Sequence, residues 1–220
     1  MELAPGYRGL RLLRRNGRIA VYDAWSEARG CRCVVKMVDR RGDAHDRQEL
    51  AKEGRLLLSL THPHIVRAYE LLRRPRTALV METLPGETLG HAIRARGRLD
   101  ARDVAQLGVQ LCSALQYLHG QGVLHLDLKP SNIVCCAGLA RLIDLGLARR
   151  PGRGSAGVGS APYLSPEQAR GGWLSEASDV FGLGAALYHA ASGRAPFRGD
   201  GRRGYQQLRM RARVNDAAPS

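Results

Sequence analysis

The sequence predicts an α+β protein with a small β-rich first part that holds one helix and a mainly helical second part. Short apolar segments separated by polar turns fill the first part, as is typical of strands. Helical periodicity dominates after Pro85 and Gly86, where the composition changes. We therefore expect two domains, at 1–84 and 85–220, each within the ordinary range of domain sizes.

Strands and one helix account for most of the first part. Alternating or continuous apolar residues predict strands at 9–13, 19–25, 31–38, 65–72 and 78–84. A helix is predicted at 43–60, because leucines recur at helical spacing between Leu50 and Leu60. Pro63 then prevents continuation, since proline lacks an amide hydrogen and clashes with the preceding turn.

One long helix opens the second part. Asp100 is the predicted N-cap, with Asp103 three residues later, and an apolar stripe follows as far as Gly120. The other predicted elements are strands at 123–125, 133–135 and 139–143, a glycine-rich loop at 152–159, and helices at 180–191 and 205–214.

The charge and hydropathy of the chain exclude several classes of function. The formal net charge is +14, but the basic residues are scattered and almost all are arginine, so no nucleic-acid partner is predicted. No apolar run approaches the ~18 residues of a membrane span. The N-terminus also lacks the continuous apolar stretch of a secretory signal. We therefore expect a cytoplasmic chain without a membrane span.

Two rare residue types are informative by their positions. The cysteines lack the spacing of a zinc site and are predicted to be reduced core residues: Cys31, Cys33, Cys112, Cys135 and Cys136. Lysine occurs only at Lys36, Lys52 and Lys129, although arginine is abundant. A lysine retained in such a composition indicates a specific role, because a flexible point charge differs chemically from a planar guanidinium.

A chemical motif lies at 125–132, where the sequence reads His-Leu-Asp-Leu-Lys-Pro-Ser-Asn. It matches the pattern H-x-D-L-K-x-x-N, and the tripeptide Asp-Leu-Gly follows at 144–146. Upstream, Val-Val-Lys at 34–36 ends in a lysine on a predicted strand. Downstream come Tyr-Leu-Ser-Pro-Glu-Gln at 163–168 and the predicted helix with an early aspartate, Asp179.

This ordered set resembles the catalytic domain of bacterial-type (Hanks-type) serine/threonine protein kinases over about residues 5–200. The resemblance implies a bilobal protein kinase-like fold, with the small β-rich lobe first. It also implies ATP and Mg²⁺ as cofactors, and a protein substrate that presents a serine or threonine hydroxyl.

The resemblance assigns four residues of the second part to phosphoryl transfer. Asp127 would orient the substrate hydroxyl or accept its proton, and Lys129 would neutralise charge on the γ-phosphate. Asn132 and Asp144 would ligate Mg²⁺, a hard cation that prefers oxygen ligands. Taken singly, Asp127 could be a turn residue and Asn132 a capping residue. The joint pattern favours the chemical interpretation.

Five residues of the first part are assigned to the nucleotide. Lys36 would hold the α- and β-phosphates, and Glu53 would hold Lys36 through an ion pair. The backbone of Glu82 and Leu84 would pair with the adenine edge. Met81 would guard the back of the adenine pocket.

The glycine-rich loop departs from the family pattern. Alignment on Val21, which the resemblance assigns to nucleotide binding together with Gly17, places Arg14, Asn16 and Ile19 at the three glycine positions. Glycine there lets the backbone approach the phosphates, so we expect a weakened or reshaped contact. An arginine side chain, from Arg14 or its neighbour at position 15, could compensate by contacting phosphate.

The catalytic loop and activation segment also differ from the family. Leu126 replaces the arginine that pairs with a phosphorylated activation loop, so activity is expected without loop phosphorylation. The segment 148–160 contains only Ser155 and Ser160 as hydroxyl residues, and Ser160 stands where the family has a threonine that braces the catalytic residues. His125 and Asp179 are expected to support the loop structurally.

The end of the chain is the largest departure. The last helices of the family and the late arginine that pairs with Glu167 are not recognisable after Phe197. We therefore expect a lower lobe that lacks its last helices and a carboxylate left unpaired at Glu167. Three explanations stay open: a fragment of a longer protein, a truncated gene product, or dependence on a partner that completes the lobe.

Three functions remain open from the sequence. The first is an active serine/threonine protein kinase, favoured by the complete set of catalytic residues. The second is a pseudokinase-like binding or scaffold module, favoured by the poor glycine loop. The third is a small-molecule phosphotransferase, which the peptide-platform resemblance of 163–168 disfavours.

Overall fold

The computed structural model describes residues 1–197 and 206–209. The chain divides into two compact units, Met1–Pro85 and the part from Gly86 onward. Strands are the main regular structure of the first unit, and helices are that of the second unit within its described residues, so the predicted α+β class is confirmed. Of the predicted helix at 205–214, a short 3₁₀ turn at Gln206–Arg209 is described, and the rest lies outside the described residues.

The first unit is built on a six-stranded antiparallel sheet with the order β1-β2-β3-β4-β6-β5. Its strands are β1 (Glu2–Ala4), β2 (Tyr7–Asn16), β3 (Ile19–Ser26), β4 (Cys31–Val38), β5 (Ala68–Leu72) and β6 (Ala78–Glu82). The three-residue strand β1 was not predicted, because it is too short to show an alternating pattern.

One face of this sheet forms the core of the first unit. Cys33, Val35 and Met37 alternate along β4 and are almost completely buried against Ala24 and Val80. Alternation with period two places these side chains on a single face, as the sequence pattern predicted.

Helix α1 (Ala44–Ser59) is the only α-helix of the first unit, whose residues are all described. It begins at Asp43, whose carboxylate accepts from the Asp46 amide while the Asp46 side chain accepts from the Asp43 amide. This reciprocal capping box satisfies two amides that lack partners within the helix. Leu50 and Leu57 are buried, and Glu53 is buried with them.

The second unit combines four α-helices and five short strands within its described residues. The helices are α2 (Leu89–Arg96), α3 (Ala101–Gly120), α4 (Pro166–Arg170) and α5 (Glu176–Ser192). The strands are β7 (Glu87–Thr88), β8 (Ile133–Cys136), β9 (Leu139–Leu142), β10 (Gly152–Arg153) and β11 (Trp173–Leu174). The predicted N-cap of α3 is present, because the Asp100 carboxylate accepts from the Asp103 amide at 2.8 Å.

Three predictions for the second unit were wrong. The segment 123–125 forms a single bridge, Leu124 with Arg149, in place of a strand. The glycine-rich stretch begins with β10, which pairs with β11. Helix α5 begins at Glu176, four residues before the predicted start, because the Ser175 and Ser178 side chains form a capping box. Helices α2 and α4 were not predicted, since neither is long enough to show helical periodicity.

The most apolar helix, α5, lies in the core of the second unit, where Gly182, Ala186 and Ala190 are buried. A helix that is apolar over most of its surface is typical of a protein interior. Within the described ranges, no helix has the length and apolar character needed to cross a membrane.

The five cysteines are free thiols with different surroundings. Cys33 is buried, as predicted, and burial raises the pKa of its thiol to about 11. Cys112 lies on the exposed side of α3, so its prediction as a core residue was wrong. The apolar neighbours of Cys112 in the sequence did not reveal which side of the helix it occupies.

Truncation of Leu118 is predicted to test the orientation of α3. Leu118 is fully buried, whereas Val109 on the same helix is 73% exposed. We expect Leu118→Ala to lower the free energy of unfolding by about 2–5 kcal/mol, because it removes apolar contacts and leaves a cavity. Val109→Ala, the control, should change it by less than about 0.5 kcal/mol. Urea unfolding measures both, and equal losses would contradict the described orientation.

Candidate active site

The loop at 125–132 is anchored to helix α5 by one buried carboxylate. Asp179 is 1% exposed. Its Oδ2 accepts from the His125 amide at 2.8 Å, and its Oδ1 accepts from the Leu126 amide at 2.7 Å. His119 Nε2 on α3 lies 2.9 Å from Oδ2. A buried carboxylate requires such donors, because burial of an unpaired charge is costly.

His125 lies fully buried beneath the loop. Its Nδ1 accepts from the Asp127 amide at 3.2 Å, so the ring supports the backbone of the next residue but one. Burial lowers the pKa of His125 below its ordinary value, although Asp179 and Asp127 act in the opposite direction. The neutral ring is consistent with an Nδ1 that accepts a hydrogen bond.

Asp127 is held on both carboxylate oxygens. Ser160 Oγ donates to Oδ1 at 2.8 Å, and Lys129 Nζ donates to Oδ2 at 2.6 Å. Asn132 Nδ2 donates to the same Oδ2 at 3.1 Å and to the Asp127 carbonyl at 3.0 Å. Lys129 Nζ also reaches Ser160 Oγ at 2.7 Å, which closes the cluster.

This cluster combines a hydrogen-bond acceptor and a cation at one point. The side chain of Asp127 is 13% exposed and that of Lys129 is 19% exposed, so both are largely enclosed but still reach the surface. A carboxylate in such a position can orient a hydroxyl or accept its proton. The adjacent ammonium group can neutralise negative charge on a transferred group.

Asn132 and Asp144 provide the oxygen ligands that a hard cation prefers. The Asn132 amide directs its nitrogen at Asp127, which leaves the oxygen end for a cation. Asp144 Oδ1 accepts from the Gly146 amide at 3.0 Å. Among the described residues no group of three or more His, Cys, Asp or Glu side chains could hold a metal. A donor pair of this kind fits Mg²⁺, which usually binds one or two carboxylates together with substrate phosphates.

In the first unit, the structure brings Lys36 and Glu53 together. Lys36 Nζ on β4 lies 2.8 Å from both Glu53 carboxylate oxygens on α1. The two side chains are 15% and 4% exposed. A charged glutamate that is buried on a helix needs such a partner or other donors, because an uncompensated buried charge is costly. The pair therefore explains why a charged residue occupies the inner side of α1.

The arginine-rich loop forms the turn of a hairpin between β2 and β3, whose pairing shifts register twice before the turn. Asn16 pairs with Ile19, and the turn begins at Gly17, whose φ of 55° favours glycine. Arg15 pairs with Asp39. The side chain of Arg15 is therefore directed at a carboxylate in this structure, and the expected phosphate contact stays a prediction. Arg14 is exposed.

The turn arginine Arg18 is also paired with carboxylates, because it contacts Asp43 and Asp46 at the start of α1. Val21 lies opposite Lys36 in the pairing of β3 with β4. This register places Val21, expected to bind the nucleotide, beside Lys36, expected to hold the phosphates.

The segment expected to contact adenine begins at the last residue of β6. Met81 is buried at the end of this strand. The Glu82 amide donates to the Arg67 carbonyl at 2.9 Å, and a Glu82 carboxylate oxygen accepts from the Arg67 amide at 2.8 Å. The two residues therefore tie the end of β6 to the chain before β5. Leu84 follows two residues later.

Helix α4 and the segment before it are tied to α5. Tyr163 Oη lies 2.7 Å from His189 Nδ1, with the two rings stacked. Burial raises the pKa of Tyr163 to about 12 and lowers the pKa of His189. Ser178 Oγ donates to Glu167 Oε1 at 2.5 Å, so the expectation that the Glu167 carboxylate is unpaired was wrong.

Several residues of this region were not predicted from the sequence. Gln168, Ser178 and His189 each contact a residue at least ten positions away along the chain. No periodicity or motif spacing indicates such pairs. The nearest signal was the position of Gln168 beside the Ser-Pro-Glu tripeptide.

Comparison with known proteins identifies one family. The protein kinase domain matches residues 16–218. Serine/threonine-protein kinase PknA of Mycobacterium tuberculosis (strain H37Rv) is 34% identical over 215 residues, which cover 91% of this chain and 50% of the relative. The DNA damage-responsive serine/threonine-protein kinase RqkA of Deinococcus radiodurans is 33% identical over 217 residues, 91% of this chain and 32% of the relative.

A third relative is the probable serine/threonine-protein kinase PknB of Bifidobacterium longum. It is 35% identical over 222 residues, which cover 90% of this chain and 32% of the relative. The chain therefore spans half or less of the length of these curated relatives.

The buried His125 is predicted to make stability fall in mild acid. Its pKa lies below the ordinary 6.5 in the folded state, so only the unfolded chain binds a proton there between 6.5 and the folded pKa. The free energy of unfolding should therefore fall as pH drops below 6.5, by at most about 1.4 kcal/mol per pH unit for one proton.

The variant His125→Asn isolates this effect. Its amide oxygen can replace Nδ1 as acceptor for the Asp127 amide, but it does not titrate. Chemical unfolding between pH 5 and 7.5 should give a shallower decline for the variant. Since other histidines contribute equally to both proteins, identical slopes would show that His125 does not carry the effect.

Proposed function

Since the chain belongs to the protein kinase domain family, we propose that it is a serine/threonine protein kinase that transfers the γ-phosphate of Mg-ATP to protein hydroxyls. The observation that carries the proposal is the enclosed cluster of Asp127, Lys129 and Ser160. ATP-dependent chemistry of this kind suits the cytoplasm, where the five free cysteines would also stay reduced.

Asp127 is proposed to act on the substrate hydroxyl. The hydrogen bonds from Ser160 and Lys129 set the direction of its carboxylate before a substrate arrives. Orientation is the main contribution that a protein makes to phosphoryl transfer, because the transition state is loose. Lys129 is proposed to neutralise charge on the phosphate as it moves to the hydroxyl.

Lys36 and Glu53 are proposed to hold the nucleotide phosphates. The buried carboxylate of Glu53 fixes the ammonium group of Lys36 at 2.8 Å, and this limits the positions in which Lys36 can meet an anion. Gly17 and Val21 are proposed to cover the nucleotide from the hairpin. The Glu82 carbonyl and the Leu84 amide are proposed to pair with the adenine edge.

Asn132 and Asp144 are proposed to hold the metal. When bound, Mg²⁺ would bridge phosphate oxygens and neutralise the charge that develops on them. The chain itself supplies two oxygen donors from neighbouring segments, since the Ile143 amide donates to the Asn132 carbonyl at 3.1 Å. This backbone bond supports a fixed spacing between the two ligands.

A second candidate function is a pseudokinase-like scaffold. The observation that favours it is the hairpin at 14–19, where the glycine positions carry larger residues and Arg15 and Arg18 pair with carboxylates. These ion pairs would have to open before either arginine could meet a phosphate. A chain with this loop could bind partners through the kinase fold with little catalysis.

The variant Asp127→Asn is predicted to separate the two functions. Replacement of the carboxylate by a neutral amide removes the proton acceptor, so we expect phosphate transfer to fall by about 10²–10⁴-fold. Transfer of labelled γ-phosphate from Mg-ATP to a generic basic protein measures it. Nucleotide binding should remain, since Asp127 is not assigned to ATP.

Each outcome of that experiment identifies one function. Wild-type transfer that is lost in Asp127→Asn supports the kinase and shows that the modified hairpin is tolerated. Folded wild-type protein that binds ATP weakly and transfers no phosphate would favour the scaffold. Equal transfer by both proteins would contradict the role proposed for Asp127.

The activation segment is predicted to work without phosphorylation. Leu126 cannot pair with a phosphate, so a phosphoserine at the exposed Ser155 would lack the arginine that the family uses. Phosphatase-treated wild type and Ser155→Ala should both retain activity within about twofold. Ser160→Thr is the matched control, because it keeps the hydroxyl beside Asp127. A large gain on phosphorylation of the segment would contradict the prediction.

A further inference from the structure

The side chain of Gln168 makes hydrogen bonds beyond the one that caps its own short helix, α4. It is 4% exposed, at the third residue of α4. Its Oε1 accepts from the Ser165 amide at 3.1 Å, as in a capping box. Its Nε2 is directed away from the helix and donates to the Leu126 carbonyl at 2.8 Å and to the Val158 carbonyl at 3.4 Å. The capping role does not account for these two bonds.

The residue that receives the shorter bond has a strained backbone. Leu126 has a φ of 63°, in the left-handed region that leucine rarely adopts. Such a conformation persists only where the surroundings hold it in place. Asp179 holds the Leu126 amide at 2.7 Å, and Gln168 holds the Leu126 carbonyl at 2.8 Å.

The hydrogen bond from Gln168 to the Leu126 carbonyl also affects Asp127, because one peptide group joins Leu126 to Asp127. The carbonyl of Leu126 and the amide of Asp127 belong to one planar unit. Gln168 donates to its oxygen, and His125 Nδ1 accepts from its nitrogen at 3.2 Å. The plane that leads into Asp127 is therefore fixed on both sides, which limits the directions that the Asp127 side chain can take.

Gln168 also contacts the segment that ends at Ser160. Its backbone carbonyl accepts from the Gly157 amide at 2.9 Å. A Cβ atom on Gly159 would lie 3.4 Å from Gln168 Nε2 and 3.3 Å from the Leu126 carbonyl. The φ of Gly159 is 126°, so a side chain is disfavoured there as well. Close packing of this segment against Gln168 helps to set the position of Ser160.

We propose that Gln168 is a positioning residue for Asp127, acting through its amide donor on the Leu126 carbonyl. The proposal deepens the kinase function proposed above and rests on it. Gln168 touches neither the reacting groups nor the nucleotide, so its effect should appear in turnover and not in nucleotide affinity.

The variant Gln168→Glu isolates the donor. A glutamate keeps a carboxylate oxygen that can accept from the Ser165 amide, and glutamate is as suitable as glutamine in a capping box. The ionised glutamate lacks the Nε2 donor and places a carboxylate oxygen against the carbonyl oxygens of Leu126 and Val158. The assay is run between pH 7 and 9, because burial raises the pKa of a carboxyl and only the ionised form lacks a donor.

A matched control lies on α3. Gln110 Nε2 donates to the Gly138 carbonyl at 2.7 Å, and Gln110 Oε1 accepts from the Ala140 amide at 2.6 Å. Gln110→Glu therefore makes the same chemical exchange, with loss of one donor to a backbone carbonyl and retention of one acceptor. Gln110 has no part in the proposed catalytic or binding residues.

We expect kcat for Gln168→Glu to fall by about 10–100-fold, as for other small displacements of a catalytic group. The KM for ATP should stay within about threefold, because no nucleotide contact is lost. Gln110→Glu should keep both constants, even if thermal melting shows a similar loss of stability in both variants. Equal kcat values for the two variants would overturn the proposal, and so would a change confined to KM.

A measurement independent of activity completes the test. Hydrogen exchange of peptides covering 125–132 should be faster in Gln168→Glu than in wild type or Gln110→Glu, because the peptide before Asp127 loses one of its two contacts. If wild type transfers no phosphate, the kinase function fails, and exchange then decides the positioning role alone. Unchanged exchange in Gln168→Glu would overturn it.

Discussion

The two hydrogen bonds from backbone amides to the Asp179 carboxylate are the interaction on which the second unit's site depends. They hold His125 and Leu126 against α5, although Leu126 must adopt a left-handed conformation to accept this position. Asp179 lies in the first turn of α5, where the helix dipole favours a negative charge. Since the carboxylate is almost fully buried, it has little alternative to these donors, and the loop conformation becomes the state that satisfies it.

From this anchor, a chain of polar contacts extends to Asp127. Buried polar networks stabilise a structure only when their members are paired, and then they also specify one arrangement. Here the carboxylate of Asp127 meets three donors, and the peptide before it is held by Gln168 and His125. The direction of the Asp127 carboxylate is therefore fixed by its neighbours in the folded chain.

The first unit positions its charged groups in another way. Lys36 and Glu53 are a single largely buried ion pair between a strand and a helix, held by the register of β4 and the capping of α1. By contrast, Lys52 lies 4.0 Å from Glu49 on the exposed side of the same helix, where such a pair contributes little. Lysine is rare in this chain, and its presence at Lys36 and Lys129 thus has a physical reason. At both positions a compact ammonium group contacts a carboxylate.

The sequence by itself determined the α+β class, the β4 strand, the long helices and the residue types of the site. Periodicity, capping residues and motif spacing are local patterns, so they can be recognised without the tertiary structure. Short elements such as α2, α4 and β1 were not predicted, because so few residues show no recognisable hydrophobic periodicity. Only the tertiary structure decided that Gln168 meets Leu126, that Ser178 pairs with Glu167, and that Arg15 turns to Asp39. Those contacts join segments distant in sequence, so they depend on how the chain packs and not on any local pattern.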